Sequence, residues 1–216
     1  MGTKQIFESW CLFLFLTLVG VFISIRWIDI PVATHFLPNI DRFAVVGHGL
    51  GSSILVAGEM TLITGLAVAR IIQGHLSQKN KALFIACCAS LSAFAANDYV
   101  LKILFGRPNP FDHFVGAQAE LFHYFKGDQH SSFPSGHMVI ATAFAVTLIR
   151  LYPKTWPFFF VLLSIANVAL VVGDWHFVSD TIAGFFVGGT AGFIAGELWL
   201  RHCRTRNEDL DDRAPG

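Results

Sequence analysis

The sequence predicts an all-α fold, a polytopic helical bundle of about six membrane spans. Three observations predict it. Of 216 residues, 54% are hydrophobic and 14% charged, with mean hydropathy +0.57, whereas an ordinary soluble domain carries about 25% charged residues. The apolar residues gather into runs near the roughly 20 residues that a spanning helix needs. The polar residues with chemical capacity, in contrast, gather in the connections of one face.

The runs lie at about 8–26, 45–72, 82–104, 137–152, 155–173 and 178–199. The first could be mistaken for a cleaved secretory leader, but Glu8 spoils its basic flank and no small-residue cleavage site follows, so it reads as a retained span. In the second and third runs, Glu59, Asn97 and Asp98 are polar groups at membrane depth, which face protein or water rather than lipid and so imply a packed bundle. For Glu59 a functional role and a neutral, hydrogen-bonded packing role both stand. The fourth and fifth runs are short and separated by Pro153-Lys154. The sixth carries Gly184, Gly188, Gly192 and Gly196 at four-residue spacing, a strip that admits close approach of another helix, either within the bundle or as the seam of a homodimer. The division is one transmembrane domain, 1–199, with a core at about 82–199, followed by a short charged cytoplasmic tail, 200–216.

Charge sets the expected orientation. With the N-terminus cytoplasmic, the inside segments hold Lys4, Arg70, Lys79, Lys81, Arg150, Lys154, Arg201, Arg204, Arg206 and Arg213, against Arg26, Arg42, Lys102, Arg107 and Lys126 outside. This ten-to-five balance places both termini inside and the connections 27–44, 105–136 and 174–177 on the opposite face. A net charge of +0 and a pI near 7.1 give no basic excess for nucleic acid, which is dropped as a partner. Cys11, Cys87, Cys88 and Cys203 show no zinc-type spacing and read as buried free thiols.

Three stretches on the outer face carry chemistry. Phe133-Pro134-Ser135-Gly136-His137 sits where a polar loop meets the fourth span. A helix N-terminus there offers unpaired N–H groups and the positive end of a dipole to a phosphate, Gly136 allows close approach and Ser135 adds a donor; the plainer alternative is a helix cap. In Trp175-His176-Phe177-Val178-Ser179-Asp180, His176 and Asp180 are four apart and on a helix would share a face. A carboxylate holding one imidazole nitrogen leaves the other free to attack an electrophile, while the plainer role for Asp180 is to cap its own helix. Lys102-Ile103-Leu104-Phe105-Gly106-Arg107-Pro108-Asn109-Pro110 ends the third span with two cations suited to phosphate oxygens.

The order of a lysine-led motif, Pro-Ser-Gly-His and His-x-x-x-Asp resembles the three signature motifs of the type 2 phosphatidic acid phosphatase family over residues 82–199. This chain has Asn109 where the first motif has arginine, with Arg107-Pro108 at a shorter spacing, and Ala169-Leu170 where the third motif begins Ser-Arg. The resemblance implies that His176 attacks phosphorus to form a phosphohistidine, His137 protonates the leaving oxygen and Asp180 holds His176. Lys102, Arg107, Ser135 and Gly136 would bind the phosphate, with Asn109 and Lys126 as further candidates and Lys126 a replacement cation. The scheme requires no metal and no cofactor. His113, His123 and His130 raise a metal site as a competing idea, but none are at the i, i+4 spacing of helical metal motifs, and residues 111–131 read better as the substrate entrance.

The expected function is therefore a membrane lipid phosphatase acting on a phosphomonoester or pyrophosphate of the undecaprenyl pyrophosphate, phosphatidylglycerophosphate, phosphatidate or lipid A type. It would lie in a bacterial inner membrane with its site on the periplasmic or extracellular face. The alternatives are a lipid-to-lipid phosphotransferase and a non-catalytic lipid-phosphate binding or transport protein.

Overall fold

The computed structural model describes residues 3–36, 42–115, 120–128 and 130–211, and among these every regular element is helical. Helix α1 (Thr3–Ile23) passes through one π-helical turn into α2 (Asp29–Phe36). Then follow α3 (Arg42–Gln73), α4 (Gln78–Ala96), a second π-helical turn (Asn97–Leu101), α5 (Lys102–Phe105), α6 (Pro110–Val115), α7 (Gly136–Leu151), α8 (Trp156–Val172) and α9 (Val178–Asp211).

Five stretches are long and apolar enough to cross a bilayer: Lys4–Phe36, Gly51–Gln73, Gln78–Phe114, Pro153–Val172 and Val178–Thr205. Gly136–Leu151 is a shorter apolar helix, enclosed by the others. Five of the six expected spans are present at spanning length and the fourth, 137–152, is the shorter helix, while the first is longer than its apolar run because α2 continues into part of what was expected to be a connection. Residues 37–41 of that connection, 116–119 and 129 of the entrance loop, and 212–216 of the tail lie outside the described residues. From residue 200 to Asp211 the tail continues α9 without a break.

The bundle is built around α7 and α9. A Cβ at Gly184, Gly188 or Gly192 would stand 2.6, 2.5 and 2.5 Å from the carbonyl oxygens of Ser135, Val139 and Ala143, and one at Gly196 would stand 2.7 Å from Arg150 Cβ. The glycine strip thus seats α7 against α9 at backbone contact, the small-residue packing by which helices gain van der Waals attraction in lipid. Of the two uses expected for the strip, the structure realises the intramolecular one; α7 fills it, so it is closed as a homodimer seam.

Ala82 and Ala86 of α4, Met138, Ala145 and Leu148 of α7, and Phe159, Leu163 and Leu170 of α8 form the buried core. Helix α1 lies outside α9, held by Trp10 and Phe13 against Phe186 at 5.8 and 5.0 Å between ring centroids and by Trp10 Nε1 donating to Thr190 Oγ1 at 3.2 Å. Large apolar side chains point outward, among them Phe7, Phe15 and Phe22 on α1 and Phe158, Phe160, Ile165 and Val168 on α8. That inverted surface is the one a hydrocarbon solvent accepts. The chain is an integral membrane protein.

Candidate functional site

At one end of the bundle a cleft of about 570 Å³ is lined by Ser52 and Ser53 of α3, Phe94 of α4, Asp98 and Lys102 around the second π turn, Asn109, Gly136, His137, Trp175 and His176. Each histidine is delivered by a helix start. Ser135 caps α7, its Oγ accepting from Met138 N at 3.4 Å, which puts Gly136 and His137 in the first turn of the helix. His176 lies not on α9 but in the turn before it, so the expected shared helical face is replaced by a cap. Asp180 accepts from Phe177 N at 2.9 Å, and its Oδ2 stands 3.6 Å from His176 Nδ1. This one carboxylate caps the start of α9 and lies beside the imidazole.

The rings of His137 and His176 meet edge-on at 5.7 Å between centroids, and Trp175 lies tilted at 5.6 Å from His137. Behind His137 lies Gly51 of α3, where a Cβ would stand 2.5 Å from His137 Nε2; the close approach of α3 needs glycine at that point.

Lys102 is nearly buried and pairs with Asp98 at 2.8 Å. Its Nζ stands 3.5 Å from where a Cβ on Gly136 would be, so the ammonium group and the N-terminus of α7 converge on one spot. The π turn produces this placement: the Lys102 N–H bonds to Asn97 O, five residues back, and the extra residue in the turn re-aims everything after it. Asn97 Nδ2 then donates to Pro134 O at 3.1 Å, tying that turn to the Pro-Ser-Gly-His loop.

Arg107 requires a correction. It was expected to bind phosphate, but its side chain is fully buried behind the cleft. Its Nη1 donates to Asp180 Oδ1 at 2.7 Å and to Ser179 Oγ at 2.5 Å, and its Nη2 donates to Asp29 Oδ2 at 2.8 Å. Phe177 packs against the guanidinium at 4.0 Å from the ring centroid. The cause is local. Gly106 ends α5 in the left-handed region at φ +55, where a Cβ would also meet His123 O at 2.2 Å, and the chain turns Arg107 inward.

The other expected residues divide. Asn109 lines the cleft but is engaged with Asp112, donating to Oδ2 at 2.6 Å and accepting from its N–H at 2.8 Å. Ser135 is fully buried and acts as the cap, with only Gly136 and His137 of its motif reaching the cleft. Lys126 does not line the cleft itself; it borders, with Gly106, Pro108 and His123, an adjoining groove that shares Asp112, His130 and Ser131 with the cleft. Of the loop histidines, His130 lines the cleft, His123 the outer groove, and His113 packs edge-on against Phe177 at 6.3 Å. Among the described residues, no three histidine, cysteine, aspartate or glutamate side chains converge as a metal would need. Glu59 lies beneath the cleft, where Ser90 Oγ donates to its Oε1 at 2.9 Å.

Sequence reading missed Asp29. It is buried at the start of α2 and accepts from Ser179 N at 3.0 Å and Ser179 Oγ at 2.5 Å as well as from Arg107. Its only signal in the sequence is an acidic residue at the end of an apolar run. Asp174 was missed too. It is buried beside the Trp175-His176 pair, and neither carboxyl oxygen has a hydrogen-bond partner among the described residues. Burial raises its pKa from 3.8 to about 6. The raised value means that folding favours the neutral acid. This contribution to stability is fully present below pH 3.8 and is lost as pH rises through about 6. Asparagine is neutral at every pH and tolerates the φ of 55 at this position. The Asp174→Asn variant is therefore expected to unfold about 4 °C or more above the parent at pH 8, with no gain at pH 4, in thermal melts in detergent. An equal gain at both pH values would assign the effect to packing.

Comparison with known proteins extends this picture. Over 203 residues, covering 89% of this chain, it is 27% identical to a protein of Rhizobium etli named lipid A 1-phosphatase, of which 86% is covered. A protein of the same name from Rhizobium johnstonii is 26% identical over 203 residues, with 82% of its length covered. No solved structure matches the chain. Residues 81–204 match the profile of the PAP2 superfamily, a stretch that contains both histidines, Lys102 and Asp180. With more than half of its residues inside that match, the chain belongs to the PAP2 superfamily, the type 2 phosphatidic acid phosphatases whose motif order it resembles.

Proposed function

We propose that this protein is a membrane lipid phosphatase that removes phosphate from a lipid phosphomonoester or pyrophosphate through a phosphohistidine. The observation that carries the reading is the pair of imidazoles, edge-on at 5.7 Å between centroids, that line one cleft at the end of the bundle. The phosphoryl group sits between them, held by Lys102 and the N–H groups of the first turn of α7. His176 Nε2 attacks phosphorus, forming the N–P bond as the P–O bond to the lipid breaks, and a proton from His137 goes to the leaving oxygen. His137 then takes a proton from water, whose oxygen attacks phosphorus, and the N–P bond breaks to release inorganic phosphate.

Asp180 lies 3.6 Å from His176 Nδ1 and stabilises the positive charge that develops on the ring during attack. Arg107 serves as a positioning residue, clamping Asp180 from behind. Lys102 is then the cation of the phosphate site, in a cleft that lacks the two arginines of the family motifs. The substrate tail stays in the bilayer, and the charge balance places the cleft on the non-cytoplasmic face. The names of the two relatives favour a phosphate on lipid A as the first substrate to try.

The test is phosphate release by the detergent-purified protein from lipid A bearing a 1-phosphate, undecaprenyl pyrophosphate, phosphatidylglycerophosphate and phosphatidate, each with and without chelator. Release that resists chelator is expected from at least one of the four. Abolition by chelator would refute the metal-free scheme, and phosphate appearing only on a second lipid would establish transfer instead of hydrolysis.

A further inference from the structure

At the end of the bundle opposite the cleft, Arg150 of α7 and Glu197, Arg201 and Arg204 of α9 border a depression of about 400 Å³ together with Ile6 and Thr205. Glu197 bridges two of the arginines, accepting from Arg150 Nη2 at 2.6 Å and from Arg201 Nε at 3.0 Å. Among the residues that line the depression, three guanidinium groups stand against one carboxylate. Arg150 Nε is buried without a hydrogen-bond partner among the described residues.

The depression does not stop at the charged residues. Ile6 also borders an apolar groove of about 260 Å³ formed by Trp10 and Phe13 of α1, Val146 of α7, and Phe185, Gly189 and Phe193 of α9. Arg150 lies over the Phe193 ring at 5.6 Å and so joins the two compartments. From Glu197, Phe193 and Phe185 lie about 6 and 18 Å along the helix at about 1.5 Å per residue. That span is close to the hydrocarbon depth of one leaflet, about 15 Å.

We propose that this is a binding site for an anionic phospholipid of the leaflet opposite the catalytic cleft. The headgroup phosphate is held by Arg201, Arg204 and Arg150, and one acyl chain lies in the groove between α1 and α9. Charge complementarity selects the headgroup, and continuity with an apolar groove of one leaflet's depth selects a lipid over a free phosphate. The site tethers α1 to the α7–α9 core, and its occupancy is independent of the reaction proposed for the cleft.

The experiment is native mass spectrometry of the delipidated full chain in detergent, titrated with phosphatidylglycerol and with phosphatidylcholine of the same acyl chains. Phosphatidylglycerol is expected to bind about tenfold or more tightly than phosphatidylcholine. The Arg201→Gln/Arg204→Gln double variant is expected to erase that preference while keeping the parent's phosphatase activity in detergent. Gly189→Leu, which fills the groove and leaves every arginine, is expected to weaken both lipids. Equal binding of the two lipids, or a preference that survives the double variant, would overturn the site. Competition by glycerol 3-phosphate as effective as phosphatidylglycerol itself would make it a phosphate site with no role for the groove.

Discussion

His176→Ala is expected to lower phosphate release by about four orders of magnitude or more while the protein still folds and binds lipid phosphate. The side chain is held at the cleft wall between Trp175 and the cap of α9 and contributes little to the core, so its removal should cost chemistry and not structure. The loss belongs in kcat, because Lys102 and the N-terminus of α7 still receive the phosphate. Two readouts separate a nucleophile from a general packing residue. The parent enzyme, quenched during turnover with a radiolabelled substrate, should retain acid-labile, base-stable phosphate on the chain, and His176→Ala should retain none. His137→Ala should still become labelled when the leaving group is a good one, since that step then needs less help from an acid. Normal turnover in His176→Ala, or label that persists in it, would remove the proposed role.

Arg107→Met is expected to act through the fold. The guanidinium is fully buried between Asp29 and Asp180, and removing it leaves two carboxylates without their counter-charge, a loss of the kind that costs about 3–5 kcal/mol. The variant should melt well below the parent in detergent, and its residual activity should fall in kcat as Asp180 loses its clamp. Arg107→Lys should recover part of the stability but not all, since an ammonium group cannot reach both carboxylates with the fork of donors that arginine supplies. Combining Arg107→Met with Asp29→Asn should lose less than the two single changes summed, the mark of a coupled pair. A stable Arg107→Met protein whose only defect is a raised KM would instead make Arg107 a direct phosphate ligand.

The contrast between these two residues shows what was legible in the chain. His176 could be picked out because its partner is four residues away and its cleft-mate follows a Pro-Ser-Gly turn, so the relevant geometry is local. Arg107 could be recognised as a cation near the site, but its direction could not be read. It is set by a left-handed turn at Gly106 and by Asp29, which lies 78 residues earlier and reaches it only after α1 and α2 dock on α9. Lys126 likewise could be placed near the motifs but not in the cleft: it borders an adjoining groove that shares Asp112, His130 and Ser131 with it.

The glycine strip of α9 makes the point from the side of packing. Its spacing announced that some helix would come to backbone contact, and the spacing is equally satisfied by a second copy or by α7. Only the folded chain decided for α7, because the Pro-Ser-Gly-His loop and the α9 cap must meet at the cleft, and Ser135 N donates to Asp180 O at 3.0 Å to join them.

The sequence by itself determined the membrane as solvent and the order of the apolar helices, and it singled out two histidines and one carboxylate that the fold brings to one cleft or its wall. Those features depend on residue type and short spacing, which the linear chain carries in full. The tertiary structure alone decided which cation lines the cleft, which is buried in a network with Asp29, and which surface the glycines serve. Those outcomes depend on contacts between residues far apart in the chain, where the direction of each side chain follows from how the helices dock.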